Sequence, residues 1–241
     1  MPPETGSTSA GTAPGVEVLD NPAWAALTGP HRGFAQVGPA GLAARYPGDT
    51  APLAALADPA DPLAWAELAT LAEPGELLLV TGLVTPPAGW ETVVSVPGVQ
   101  LDGRAVRAEA SAEAVRLGPE DVPEMLELVE LTRPGPFRVR TVELGTYLGI
   151  RHEGRLVAMA GERMRPAGWS EISAVCTHPE HRGRGLGGLL TRAVAAEARE
   201  RGDSPFLHAA AENTGAVRLY ESMGFTVRRR TFFLGVRPPA G

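Results

Sequence analysis

Residues 177–190 read THPEHRGRGLGGLL and set Gly183, Gly185, Gly187 and Gly188 between a strand-like run, WSEISAVC, and a helix-like run, LGGLLTRAVAAEARERG. Leu186, Leu189, Leu190, Val194 and Ala198 fall near helical spacing, so a helix opens directly out of the glycine turn. Such a turn leaves backbone N–H groups unpaired at the positive end of the helix dipole. Glycine also lets the backbone approach a ligand closely. The occupant this favours is a phosphate group, and Arg182 and Arg184 add positive charge beside it.

Downstream, SPFLHAAA predicts a strand, TGAVRLYESMG a short helix and FTVRRRTFFLGV a closing strand. Upstream, TYLGIRHEGRLVAMAGERMR predicts a hairpin turning at Glu153-Gly154, preceded by a strand at AVRL, a helix at PEDVPEMLELVELT and a Pro/Gly-bearing loop. The stripe of Met125, Leu126 and Val129 on that helix reads as core. Residues 102–112 are polar and poor in large apolar side chains, which puts a domain junction there.

The first half reads as a small α+β unit. NPAWAALTG predicts a helix capped by Asn21 with Pro22 at its first position, and FAQV and GLAARY short strands. DPLAWAELATLA predicts a helix burying Leu63, Ala64, Leu68 and Leu71, and ELLLVTGL and WETVVSVPGVQL two strands, the second broken at Pro97-Gly98. Trp24, Trp65 and Trp90 are candidate buried anchors or acceptor-site walls. The expected organisation is a disordered tail over 1–15, an N-terminal α+β domain over 16–102 and a second domain over 113–236.

Bulk properties narrow the function. The chain has 241 residues, 44% of them apolar, and a net charge of −6, which disfavours a general nucleic-acid binder. All 22 basic residues are arginine, a sign of coding bias. One cysteine, Cys176, excludes an internal disulfide and a cysteine-rich metal site. No apolar run reaches the ~20 residues that span a bilayer, and the start lacks the features of a secretory signal. A cytoplasmic protein is the expectation. His178, Glu180 and His181 sit on the phosphate turn, and no metal is expected there.

Three nucleotide-type readings compete for the glycine turn. A Walker loop requires a lysine, and the chain contains none. Gly183, Gly185 and Gly188 satisfy G-x-G-x-x-G, but too little chain follows to complete a dinucleotide-binding sheet. The third reading joins two motifs. Arg182, Gly185 and Gly187 match [QR]-x-x-G-x-[GA], and Asn213, Ala216, Tyr220, Gly224 and Phe225 match N-x-x-A-x-x-x-Y-x-x-x-G-F. Together they resemble the acyl-CoA site of the GNAT N-acyltransferase superfamily over residues 113–236. The first half has a weaker resemblance to the extra half of the two-part glycine N-acyltransferase-like branch.

The resemblance implies an α/β (α+β) GNAT fold: a central mixed, mostly antiparallel sheet flanked by helices, with the N-terminal domain as a degenerate GNAT-like half. It implies acetyl-CoA as co-substrate and direct transfer of the acyl group to a primary amine, carried by a small molecule or peptide. No nucleic acid or membrane partner is expected, and the chain would act as a monomer or homodimer. Val175, Cys176, Thr177, Arg182, Gly183, Arg184, Gly185, Leu186, Gly187, Gly188 and Asn213 become the expected coenzyme contacts. The pantetheine arm would pair along Val175–Thr177, and the Cys176 N–H would polarise the thioester carbonyl.

Tyr220 falls where the family carries its general acid. Three routes stay open for the amine proton: Glu171, where the histone-acetyltransferase branch carries its glutamate; His208, where the ribosomal-protein branch carries a glutamate; and a chain of water. Strand alternation would put Glu171, Ser173, Val175 and Thr177 on one face. Cys176 has no paired histidine to make it a nucleophile, and Arg228, Arg229 and Arg230 read as solvated or as touching coenzyme phosphates. The alternative is a non-catalytic acyl-CoA sensor with the N-terminal domain as its output.

Overall fold

Side chains alternate along the central strands, and both faces of the resulting sheet are apolar and covered. The computed structural model describes residues 15–239, so the tail expected over 1–15 lies, apart from Gly15, outside the described residues. After a 3-10 turn at Val16–Asp20 come α1 (Pro22–Leu27), β1 (Gln36–Val37), β2 (Ala43–Arg45), β3 (Ala54–Leu56), α2 (Pro62–Leu71), β4 (Leu78–Thr81) and β5 (Glu91–Asp102). Then follow β6 (Val115–Leu117), α3 (Val122–Thr132), β7 (Tyr147–His152), β8 (Arg155–Glu162), β9 (Trp169–Thr177), α4 (Leu186–Glu200), β10 (Ser204–Ala210), α5 (Thr214–Ser222) and β11 (Thr226–Arg237).

Eight strands form one sheet in the order β4-β11-β5-β10-β9-β8-β7-β6, and β1-β2-β3 form a separate small sheet. Only β9 and β10 run parallel; the other neighbours in the large sheet are antiparallel. The junction drawn at residue 102 therefore lies at the end of a strand that the large sheet has taken in. β5 sits between β10 and β11, and β4 extends the sheet beyond β11.

One face carries Leu148, Val157, Ala158, Ala160 and Ile172 against Leu190, Ala193 and Val194 of α4. The other carries Tyr147, Met159, Ala174 and Cys176 against Met125 and Leu128 of α3. Tyr46 and Leu53 of the N-terminal half pack with Leu144 and Met164, and α2 packs its Trp65 and Leu68 onto β4 and β11. Burying each such side chain stabilises by about 1.5–3 kcal/mol.

Several local expectations change. Leu63 is exposed, and Trp65 takes the buried position, with its Nε1–H donating to the Pro59 carbonyl at 2.9 Å. Asn21 does not cap α1; its Nδ2 donates to the Leu56 carbonyl at 2.8 Å. β5 runs unbroken through Pro97-Gly98. Its pairing with β10 ends at Ala210↔Gly98, and the Pro97 carbonyl accepts from Ala211 at 2.8 Å. A residue's N–H and C=O point the same way, so the N–H that proline lacks would face Ala211, and at most the reciprocal bond of this terminal pair is forgone. The Glu153-Gly154 turn is as expected, with φ of 51° and 82°.

Candidate active site

β9 and β10 pair only from Trp169↔Ser204 to Ile172↔Leu207. Beyond that, β10 stays with β5 through Ala210, while β9 continues to Thr177 with β8 alone. Residues 173–177 of β9 thus present a bare strand edge in the middle of the sheet. The register adds an extra residue in this stretch: Gly161 pairs with Ser173 and Met159 with Cys176. Ala174, at φ 54°, occupies this bulge.

The bulge overturns the single face expected for Glu171, Ser173, Val175 and Thr177. Ile172 and Val175 pack with the α4 cluster, whereas Ala174 and Cys176 pack with the α3 cluster. The His178 N–H donates to the Val157 carbonyl at 2.8 Å. By alternation Cys176 also faces β8, and Thr177 turns its backbone groups to the bare edge.

The glycine turn stands directly over that edge. A Cβ on Gly187 would lie 3.6 Å from Val175 Cγ1 and 3.9 Å from Thr177 Oγ1. Gly183 and Gly185 have φ of 76° and 78°, which only glycine adopts freely, and a Cβ on either would meet nothing within 4 Å. Gly185 precedes the first turn of α4 with no side-chain cap, leaving the N–H groups of Leu186, Gly187 and Gly188 without intrahelical partners. Arg182 and Arg184 are exposed beside them, and Arg182 Nε donates to the Thr177 carbonyl at 3.3 Å. This arrangement fits a diphosphate at the turn and an amide-bearing arm along β9.

Asn213 uses its Oδ1 to cap α5, accepting from the Ala216 N–H at 3.1 Å. Tyr220 of α5 lies on the α4 side of the sheet, edge-on to Phe225 at 5.9 Å. Burial pushes its phenol up to about 12, so it keeps its proton at neutral pH.

Glu171 and His208 meet where β9 and β10 part, on the face opposite α4. His208 Nδ1 lies 2.7 Å from Glu171 Oε1, and Arg163 grips the same carboxylate through Nε at 2.9 Å and Nη2 at 2.7 Å. Burial pushes the Glu171 carboxyl up, but Arg163 and His208 outweigh it and hold it at about 2. Arg228 Nη1 donates to Gln100 Oε1 at 2.8 Å, which turns the Gln100 NH2 toward the Leu19 carbonyl at 2.8 Å and His208 Nε2 at 3.1 Å. His208 Nε2 is therefore the acceptor, and Nδ1 carries the proton it donates to Glu171.

Arg163, Gln100 and the bond from Arg228 to Gln100 are parts of this network that sequence reasoning missed. The available signal was the run ERMR in an otherwise apolar hairpin. Arg228 and Arg229 are not free either: they pair with Asp20 Oδ1 at 2.6 Å and 2.8 Å.

Two depressions flank the site. A groove of about 1200 Å³ between α3 and its following loop is lined by Leu126, Val129, Arg133, Pro136, Phe137 and Arg138. Met125 is core as expected, and Leu126 and Val129 pack half-buried against the same cluster while also lining this groove. A cavity of about 300 Å³ beside the glycine turn takes His152, His178, His181 and Arg184. Among the described residues no cluster of three or more His, Cys, Asp or Glu is arranged to hold a metal. Burial pushes the Cys176 thiol up to about 11, so it stays protonated. Among the described residues, His31 Nε2, Tyr147 Oη and Arg165 Nε are buried with no hydrogen-bond partner. Each such orphan costs about 1–3 kcal/mol.

The model of the FR47-like protein family matches residues 147–234, from β7 into β11. Curated mycothiol acetyltransferases from Thermobispora bispora and Thermomonospora curvata are 46% and 36% identical, each over 83 residues. Those matches cover 34% of this chain and 27% and 28% of the relatives, so the chain spans little more than a quarter of their length. A GCN5-related N-acetyltransferase from Kribbella flavida shares the fold, with a TM-score of 0.59 at 19% identity over 91% of this chain and 96% of that one. A GNAT-family structure from Novosphingobium aromaticivorans is 39% identical with a TM-score of 0.83, covering 91% of this chain and 98% of its own. No helix among the described residues is long and apolar enough to cross a membrane. The likeness to the Novosphingobium structure runs nearly end to end, at a level of identity that marks a true relative: the chain belongs to the GNAT family of acetyltransferases.

Proposed function

We propose that this protein transfers an acetyl group from acetyl-CoA to a primary amine by direct attack. The observation that carries the reading is the bare edge of β9 lying under the uncapped first turn of α4. The N–H groups of Gly183–Gly188 would hold the coenzyme's diphosphate, with Arg182 and Arg184 adding charge. Val175 and Thr177 would pair with the amide-bearing arm as an added strand. Bound there, acetyl-CoA supplies an activated acyl carbonyl. Alternation favours a donor to its oxygen from the bulged stretch Ala174–Val175 rather than from Cys176, whose backbone faces β8.

Tyr220 lies on the α4 side and keeps its proton, which suits it to protonate the departing thiolate. The base is better assigned to solvent at the parting of the strands. Glu171, held at about 2, is a weak base near neutral pH, and the lone pair of His208 Nε2 is taken by Gln100. Both act as a rigid polar wall that shapes the acceptor side. The amine of the reaction named by the mycothiol acetyltransferase relatives is one acceptor to test beside amino acids, polyamines and peptide N-termini.

Calorimetry with acetyl-CoA, coenzyme A and NAD, followed by thiol release with that amine panel, tests the reading. Tight acetyl-CoA binding with amine-dependent release supports it. Binding without turnover, unchanged by Tyr220→Phe, would make the protein an acyl-CoA sensor.

A further inference from the structure

Three of the chain's five histidines, His152, His178 and His181, meet in the cavity of about 300 Å³ beside the glycine turn. The other two are bonded inside the protein, His31 to Tyr46 and His208 to Glu171. His152 ends β7 opposite Arg155 of β8, and its ring stands 4.9 Å edge-on from that of His181. The His178 ring lies 5.8 Å from that of His181. The His178 N–H donates to the Val157 carbonyl at 2.8 Å, which fastens the 3-10 turn Pro179–His181 to the hairpin that supplies the opposite wall.

Charge in this cavity is poised to become one-sided. Arg155 and Arg184 line it with the imidazoles. Among the described residues neither guanidinium has an ion-pair partner, whereas Arg151 nearby is held by Asp121 and Glu124. The carboxylates that line it are Glu153, exposed at the hairpin turn, and Glu180, whose side chain is 83% exposed and 3.9 Å from His178. Those two balance the two guanidinium groups, so each imidazole that takes a proton adds uncompensated positive charge. Desolvation, and after it the charges of Arg184, His152 and His178, hold His181 below its ordinary value. His178 Nδ1 accepts from the Glu180 N–H at 3.3 Å, which leaves the ring proton on Nε2. No cluster among the described residues is arranged for a metal, and convergent N–H donors with titratable positive charge suit an anion.

We infer that this cavity is a phosphate monoester site and takes the 3′-phosphate of coenzyme A. Arg184 belongs both to the cavity and to the glycine turn. The 3′-phosphate is carried on the ribose joined to the diphosphate that the turn would hold, so the two sites lie one sugar apart. This rests on the acetyl-CoA reading above. Backbone N–H groups cradle the diphosphate, and side chains recognise the monoester, the imidazoles taking up protons as the dianion enters. The protein thereby reads the nucleotide end of its co-substrate and prefers it to the 3′-dephospho form.

The test is calorimetric affinity for coenzyme A against 3′-dephospho-coenzyme A in the full chain, with inorganic phosphate as a third probe. At pH 7 the wild-type protein should bind coenzyme A roughly ten- to a hundredfold more tightly than the dephospho form. In His178→Asn, which keeps an acceptor for the Glu180 N–H, and in His181→Gln, that ratio should fall severalfold toward one while affinity for the dephospho form holds. Inorganic phosphate should compete with coenzyme A more strongly than with its dephospho form. Equal affinities in the wild type overturn the proposal. So does a ratio that survives in both variants, which would put the 3′-phosphate elsewhere. Binding of inorganic phosphate that depends on the two histidines, without any preference between the coenzyme forms, would make the cavity a site for free phosphate and overturns the coenzyme assignment. If the wild-type protein binds neither coenzyme form, the acetyl-CoA reading itself has failed; binding of the dephospho form keeps the two failures apart.

Discussion

The two faces of the sheet at the parting of β9 and β10 are built on opposite principles. On the α4 face the chain leaves groups unmade: Gly183 and Gly185 hold left-handed backbone, the first N–H groups of α4 lack partners, and β9 offers an unpaired edge. On the other face nearly every polar group is spent, from Asp20 through Arg228, Gln100, His208 and Glu171 to Arg163. A surface that must bind a flexible phosphate-bearing ligand keeps its donors free. A wall that must hold shape in a low dielectric has to satisfy its own charges, because a lone buried charge costs several kcal/mol.

That contrast predicts separable losses. The largest is Glu171→Leu, which strands the Arg163 guanidinium and should cost about 3–5 kcal/mol in urea unfolding. Gly185→Glu should instead abolish calorimetric acetyl-CoA binding while costing only about 1–2 kcal/mol, the strain of a side chain in left-handed backbone. If both variants lost stability equally and binding equally, the division by face would be wrong. Tyr220→Phe should slow thiol release about a hundredfold and leave acetyl-CoA affinity within a few fold.

Stability against pH sharpens the comparison, because the groups that titrate abnormally in acid include two on the closed side. His31 is held down to about 4, chiefly by burial, so the unfolded chain takes up a proton first and stability falls as pH drops from 6.5 toward 4. Glu171, held at about 2, contributes stability that is present above its ordinary value of 4.5 and is lost as pH falls toward 2. His31→Gln should flatten the upper window and leave the lower one, as read by chemical unfolding at stepped pH. The smallest effect belongs to the rim. Asp20→Ala removes an exposed pair with Arg228 and Arg229 and should cost no more than about 1 kcal/mol.

The open face was legible in the chain, whereas of the closed face only Glu171 and His208 stood out, without their partners. Glycines at 183, 185 and 187, the arginine before them and the helix after them act within one turn of backbone, so spacing alone identified the turn. Asn213 and Tyr220 belong to a second short motif of the same kind. The bulge at Ala174 gave no such warning: alanine rarely adopts φ 54°, and no glycine or proline marks the position, so simple alternation assigned Val175 and Thr177 to the wrong face. Leu63 failed for a related reason, since helical spacing names a stripe but not which neighbouring stripe the sheet will cover.

Spacing thus decided the helices, the hairpin turn and the glycine turn, and two short motifs carried the family resemblance, all properties written in a few adjacent residues. Folding alone brought β5 between β10 and β11, parted β9 from β10, carried Tyr147 over Gly161 and joined Gln100 to His208 across 108 positions of chain. Those features depend on which strand lies beside which, and strand order is set by burial of whole faces and pairing of buried charges, quantities no short window of residues contains.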